Sequence, residues 1–422
     1  MKKENTKPTG PIKRFLGIFG PGLVTGAADD DPSGIATYSQ SGAQFGYAQL
    51  WIVPFLYPLM VAVQEACARI GAVTKKGIAA VAREHYGKPV LVTTVALIAI
   101  ANTINIGADL GAMAAALELI LPIPFVLSTL GFTVITLACE IYVPYRSYAR
   151  VLKWLAVSLL VYPVTLFLVN QPWGELLHAT FIPNIQLSFV FLFLFIGVIG
   201  TTISPYMFFW QASEEVEEEI AGNIDEHKRG FKKFIRNMRI DNALGMLFSQ
   251  IITWCIIVVT GTVLHTNGIT NIATAADAAK ALTPLAGSLA GIIFAIGIIG
   301  LGLLAIPVLA GSAAYAMAEA FNWHEGLYRK LRDAHGFYGV IIVATVIGLG
   351  INFIGIDPIK ALIVTAVLNG LIAIPLLFLI IKISSNKKIM NEYASGWLSK
   401  TFLWITFIAM IIAAIGMFWQ MG

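Results

Sequence analysis

Charged residues are scarce in this chain: they make up 12% of 422 residues, against 57% hydrophobic. A soluble domain carries about twice that share of charge. Packing in water would leave most of the apolar side chains uncovered, so lipid is the expected solvent. Cysteine is rarer still. Cys67, Cys139 and Cys255 lie far apart inside apolar segments, which excludes a disulfide framework and a thiolate site and leaves three small buried hydrophobes. The six histidines are scattered and mostly near loops, so no His/Cys cluster supports zinc-type ligation. No nucleophile–base pair and no cofactor motif appears, which argues against an enzyme and against any bound cofactor. Residues 1–13 are polar and basic, and no small-residue cleavage site follows a short apolar core, so no cleavable signal is expected. Short alternating segments of the β-barrel kind are missing as well.

What is present is a series of long apolar runs. A helix needs roughly 20 apolar residues to cross the hydrocarbon core. The sequence predicts eleven spans, at about 14–45, 49–73, 90–120, 124–144, 150–170, 187–213, 240–265, 285–321, 337–355, 359–383 and 399–420. Lys and Arg test this count, because cytoplasmic loops retain positive charge. The N-terminal tail carries Lys2, Lys3, Lys7, Lys13 and Arg14, and every second loop repeats the bias. Of 28 basic residues only Lys280 and Lys360 fall in the intervening loops. A cytoplasmic N-terminus and an outside Gly422 follow, in a bacterial inner membrane. The positive charge reports topology and gives no reason to expect nucleic acid.

Two spans are interrupted. In the first, FLGIFGPGLVTGAA runs into Asp29, Asp30, Asp31, Pro32, Ser33 and Gly34 before Ile35 resumes the apolar pattern. In the sixth, FVFLFLFIGVIG runs into Thr201, Thr202, Ile203, Ser204, Pro205 and Tyr206 before Met207. Proline removes a backbone donor and crowds the preceding turn, and glycine adds freedom. The predicted breaks are therefore Asp31–Gly34 and Thr201–Met207. Unwound backbone at membrane depth survives only where protein or a water-filled cavity covers it. The two breaks lie five spans apart, so the halves 14–170 and 187–383 have opposite orientation, with 399–420 outside them. Paired breaks in corresponding positions point to inverted repeats and a binding site near the midplane. Two ordinary proline kinks are the plainer alternative.

Three consecutive aspartates beside a break need compensation, since a charge at the bilayer centre costs at least ~3 kcal/mol. A bound cation supplies it, and carboxylate, carbonyl and water together make a hard-cation site. One of the three can instead cap the downstream half-helix. Asn102, Asn105 and Asp109 share one face of the third span, either lining an ion path or joining helices by hydrogen bonds. Glu65, Arg69 and Glu140 near span ends read first as interfacial anchors and second as gate ion pairs. The run Glu214, Glu215, Glu217, Glu218 and Glu219 reads as a solvated segment balanced by Lys228 to Arg239.

These residues carry a resemblance. GPGLVTGAADDDPSGIATYSQSGAQFGY resembles the first helix of the Nramp family of divalent-metal transporters, whose break reads DPGN. GTTISPYMFFWQASEE resembles the sixth, whose break reads MPH. QEACARIGAVTKKGIAAVAREHYG, ADLGAMAAA and RNMRIDN resemble the second, third and seventh. The likeness runs over nearly all of 14–383. It implies an all-α, leucine-transporter-type fold of two five-helix inverted repeats and alternating access. It implies Asp31 as the anionic metal ligand, assisted by backbone carbonyls of Ala28, Gly34 and Thr201, with Ser204 direct or through water. Asp30, Asp109, Asn105 and Tyr206 are then expected to line the cavity.

Departures from the family pattern share a direction. Its DPGN asparagine is Gly34 here, its MPH methionine Ser204 and its histidine Tyr206. A third-helix glutamate is Ala112, a tenth-helix glutamine is Ala366, and 337–355 holds no arginine. Loss of a thioether moves preference towards Mg or Mn, and Mg²⁺ usually keeps several waters. The pattern resembles the magnesium-transporting branch related to Nramp, with weakened proton coupling. Met207 would restore a sulfur only under a register shift that Pro205 opposes. The expected activity is Mg²⁺ transport with Mn²⁺ tolerated, by a chain that functions as a monomer in the bilayer. A proton-coupled Mn²⁺/Fe²⁺ importer, an amino-acid transporter on the same fold and a metal sensor without flux are the rivals. Three aspartates would repel an amino-acid carboxylate, and no soluble signalling domain accompanies the spans.

Overall fold

A computed structural model describes residues 25–26, 28–143, 157–222 and 230–421. The N-terminal tail, most of the first half of the first span, and the basic residues Arg146 to Lys153, Lys228 and Arg229 lie outside the described residues. Among those described there are helices and turns and no strand. Seven helical stretches are long and apolar enough to cross a bilayer, and the shorter apolar helix His335–Ile351 joins them. The chain is a polytopic helical membrane protein.

Helices are numbered here in chain order. The first repeat holds α1 (Pro32–Phe45), α2 (Ile52–Thr74), α3 (Ile78–His85), α4 (Lys88–Leu117), α5 (Phe125–Tyr142) and α6 (Val161–Leu168). A short α7 (Trp173–Phe181) leads into α8 (Phe189–Thr202), α9 (Pro205–Gly222), α10 (Gly230–Val263), α11 (Ala290–Phe321), α12 (His335–Ile351) and α13 (Pro358–Ser384). The last helix is α14 (Trp397–Trp419). Boundaries match most of the apolar runs to within a few residues, and the clear exceptions are α9, which runs to Gly222 instead of 213, and α10. Helix α10 begins ten residues before the expected 240, because RNMRIDN continues the helix as a polar extension of the span. The short helices α3 and α7 were not anticipated either, since neither is long enough to register as a span.

Both breaks occur, and both are tighter than predicted. Asp31 sits at φ −65°, ψ 172° as the N-cap of α1, with Pro32 in the first turn. Gly34 therefore lies inside the helix instead of in unwound backbone. The reason is local: aspartate is a strong N-cap and proline favours the first helical position. The unwound stretch is Asp30–Asp31. In the second break, Ile203 (φ −114°, ψ 62°) leaves α8 and Pro205 starts α9. Pro205 has no N–H and disfavours helix at the residue before it, which confines the interruption to Ile203 and Ser204.

Packing follows the two-repeat plan. Helix α1, after the first break, lies against α10, α13 and α8, and α9, after the second break, lies against α2 and α11. The α1–α10 and α9–α2 pairs are thus the same relation taken once from each half. Small residues permit both: a Cβ on Gly42 would strike α10 at Ile257 and Thr260, and one on Gly71 would strike Ala212 of α9. Helices without a hydrophobic drive between them associate through such close backbone approaches. Helix α4 packs along α11, α12 and α13 and closes the other side of the breaks.

The charged residues near span ends depart from the anchor reading. Arg69 is 1% exposed. Its Nε donates to Glu65 at 2.9 Å, its guanidinium also reaches Ser395 Oγ at 3.0 Å and the Tyr393 carbonyl, and Arg239 joins Glu65 at 2.8 Å. This is a clamp between α2, α10 and the segment before α14, and burial makes it specific. Nor is the glutamate run simply solvated. Glu215 is buried and accepts from Gln211 Nε2 at 2.8 Å. Glu217 accepts from the Leu327 amide at 2.9 Å and from the Tyr315 hydroxyl. Glu140 is also buried.

Gly200 supports the crossing of α8 and α13, where an added Cβ would run into the Ala366 carbonyl and the backbone of Gly370. Gly131 on α5 faces open space. Overpacking at such a crossing costs typically 1–3 kcal/mol. We expect Gly200→Ala to lower the thermal unfolding midpoint in detergent, while Gly131→Ala leaves it unchanged or raises it. Equal midpoints for the two variants would contradict the close crossing.

Candidate metal site at the paired helix breaks

Asp31 is the centre of the site, and its two carboxylate oxygens do different things. Oδ1 accepts from the Gly34 amide at 2.7 Å and from Ser33 Oγ at 2.6 Å. These bonds satisfy donors that the first turn of α1 would otherwise leave orphaned. Oδ2 turns the other way. It faces Asn105 Nδ2 of α4 at 3.3 Å and the Tyr206 hydroxyl of α9 at 3.4 Å, both long. Asp31 is 1% exposed. The capping and metal-binding alternatives are thus compatible in one side chain, one oxygen serving each.

The surroundings come from four helices. Tyr206 Oη donates to the Ala28 carbonyl at 3.0 Å, tying the end of the first half-helix to the start of α9. Thr201 Oγ1 at the end of α8 lies near Gly34, 3.1 Å from where a Cβ on that glycine would stand. Gly34 therefore supplies room. Its carbonyl belongs to the first turn of α1, where helical geometry directs it to the amide four residues on; the expectation that it is freed by unwinding does not hold. The Ser204 hydroxyl donates to the carbonyls of Gly200 and Thr201, each at 2.7 Å. It closes the end of α8 in place of the amide that Pro205 lacks, and offers outward only its lone pairs.

The three polar residues of α4 divide. Asn102 Nδ2 donates to the Leu309 carbonyl at 2.7 Å and Ser312 Oγ at 2.6 Å, which is the joining role. Asn105 faces Asp31. Asp109 is fully buried within electrostatic reach of Asp31. Asp109 Oδ1 and Oδ2, Asn105 Oδ1 and Thr201 Oγ1 are all buried without a hydrogen-bond partner among the described residues. Buried polar atoms rarely stay unpaired. Four such oxygens on α4 and α8, the helices that bring Asn105 to Asp31 and Thr201 to Gly34, suit a cation with its own water shell. No three His, Cys, Asp or Glu side chains converge on one point among the described residues. An ion here would complete its shell with carbonyl, hydroxyl, amide and water oxygens.

Asp29 and Asp30 take no part around Oδ2. They turn towards α10, where Ser249 Oγ donates to Asp29 Oδ2 at 2.6 Å and approaches Asp30 Oδ1 at 3.3 Å. Asp30, expected to line the same cavity as Asp31, faces a different helix. Ser249 and Thr253 were not anticipated. Their spacing of four on one face of an apolar span was the available signal.

A family model described as natural resistance-associated macrophage protein-like, Nramp, matches residues 22–420, which spans the breaks and every helix named above. The chain belongs to the Nramp family. A divalent metal cation transporter MntH of Agrobacterium fabrum is 27% identical over 417 residues, covering 96% of this chain and 86% of the relative. The solved structure of a manganese transporter from Eremococcus coleocola superposes with a TM-score of 0.79 at 17% identity, covering 98% of this chain and 89% of that one. MhsT in complex with L-phenylalanine superposes at 0.61 and 13% identity, covering 94% and 98%. At these identities the structures speak for the fold alone, which is the leucine-transporter type that the family resemblance implied. Against the Nramp pattern, this chain keeps the aspartate and replaces its neighbours with Gly34, Ser204 and Tyr206.

The split carboxylate gives a clean experiment. Asparagine caps helices as well as aspartate does, so Asp31→Asn should keep α1 intact and unfold within about 1 kcal/mol of the wild type. Outer-shell partners of a metal ligand are worth 10–100-fold in affinity, so removing the ligand's charge should weaken Mg²⁺ or Mn²⁺ binding at least ~100-fold. Asp31→Ala should lose both cap and ion. Calorimetric titration of the purified variants reads this out. Wild-type affinity in Asp31→Asn would remove Oδ2 from the site.

Proposed function

We propose that this protein moves divalent cations across the bacterial cytoplasmic membrane by alternating access, with Mg²⁺ preferred and Mn²⁺ tolerated. The observation that supports this most is Asp31 Oδ2, a buried carboxylate oxygen whose partners are an amide and a phenol and whose neighbours are unpaired oxygens. No thioether is among its partners. Hard oxygen ligands favour Mg and Mn over softer transition metals. The room left by Gly34 and the engaged hydroxyl of Ser204 suit an ion that keeps part of its hydration shell. In this reading Asp31 is the charged ligand. Carbonyls of Ala28 and Thr201 assist, Ser204 contributes a lone pair directly or through water, and Asn105, Asp109 and Tyr206 hold the hydrating waters.

The two breaks also supply the moving parts. The first half-helix and α9 are joined by the Tyr206–Ala28 bond. A cation drawing Oδ2 and Tyr206 together would couple ligand capture to the angle between them. The inverted relation of the two halves then gives two equivalent ways to expose the site, one to each side. With no arginine in α12 and with Tyr206 in the place of a histidine, transport is read as uncoupled from protons. The membrane potential alone is worth about 4.6 kcal/mol for two charges at 100 mV. The working unit is a monomer in the bilayer, with the N-terminus cytoplasmic.

The rival is a proton-coupled Mn²⁺/Fe²⁺ importer. Asp109 is the residue that favours it, as a buried carboxyl one turn beyond Asn105 on α4 with no hydrogen-bond partner for either oxygen among the described residues. Proteoliposomes containing a pH dye and given Mg²⁺, Mn²⁺ or Ca²⁺ outside separate the two readings. We expect Mg²⁺ and Mn²⁺ uptake that collapses with the membrane potential and no internal acidification. Acidification in step with metal entry would establish the rival. Ser204→Met should move the uptake ratio towards Mn²⁺ or Cd²⁺; an unchanged ratio would remove the sulfur argument.

A further inference from the structure

Asp29 and Asp30 form a second group of acidic oxygens on the far side of the first break. Asp31 looks towards α4 and α9, whereas these two look towards α10. Both are fully buried. One hydroxyl, Ser249, touches both, and Asp29 Oδ1 and Asp30 Oδ2 have no hydrogen-bond partner among the described residues. Thr253, one turn further along α10 and 1% exposed, lies on the same helical face as Ser249. Its Oγ1 makes no hydrogen bond of acceptable geometry among the described residues.

Two carboxylates, one bridging hydroxyl and one unpaired hydroxyl converge in a place sealed from water. Their donor set is oxygen only, which selects a hard cation. Two carboxyl groups, Asp29 and Asp30, match the charge of one divalent ion when both are ionised. We propose that Asp29, Asp30, Ser249 and Thr253 hold a second divalent cation, adjacent to but distinct from the ion at Asp31. The inference rests on the reading of the chain as a divalent-cation carrier. It makes the path a two-position track, in which an ion at one position lowers the cost of leaving the other by mutual repulsion.

Counting bound ions tests it. Full-length protein in detergent is equilibrated with Mn²⁺ and the bound metal is measured per chain. Wild type is expected to bind two ions at saturation and Asp31→Asn one. Ser249→Ala and Thr253→Val, which leave the carboxylates and the helix in place, should weaken one of the two ions about tenfold, as loss of a supporting partner does, and leave the other unchanged. Asp30→Asn should remove that ion altogether. A single ion in the wild type, lost in Asp31→Asn and indifferent to Ser249→Ala and Thr253→Val, would overturn the second position and leave the first standing. Two ions persisting in Asp31→Asn but responding to Ser249→Ala would overturn the role of Asp31 and leave the second position standing.

Discussion

The structure turns on a carboxyl group buried at the point where a helix needs a cap. Asp31 fits that point because its oxygens diverge. Oδ1 takes up the donors of the first turn of α1. Oδ2 is then held in place without being saturated. A loosely partnered oxygen on a rigidly held side chain is what a transient ligand requires. Too many partners would compete with the ion, and too few would let the carboxylate swing away.

The second break complements the first by a different route. No carboxylate is available there, so the freed carbonyls of α8 are met by the hydroxyl of Ser204. The end of α8 is negative by its dipole and the start of α1 is positive. The two faces of the site therefore differ in sign before any ion arrives. On the other side of the breaks, Tyr206 at the start of α9 donates to the Ala28 carbonyl at the end of the first half-helix.

Much of this was legible in the sequence. Length and hydropathy located the spans because a bilayer imposes a fixed thickness on any helix crossing it. The paired interruptions announced inverted repeats because proline and aspartate act on the backbone within a residue or two. The extent of unwinding was not legible. Asp31 and Pro32 are helix-starting residues as well as helix-breaking ones, and only the fold decides which direction the helix takes from them. Gly34 was accordingly placed in unwound chain when it belongs to a first turn.

The sequence by itself determined the membrane setting and the places of the two helix breaks, since each follows from local chemistry. Tertiary structure decided which polar residues meet. Asn102 and Asn105 share one helical face, yet the first bonds to α11 and the second faces Asp31, because α11 and the first break stand opposite different turns of α4. Asp29, Asp30 and Asp31 are adjacent in the chain, yet they serve opposite sides of it. The helix is interrupted at Asp30 and Asp31, and contacts with residues distant in sequence, Asn105 and Tyr206 for Asp31 and Ser249 for Asp29 and Asp30, meet the three side chains on different helices.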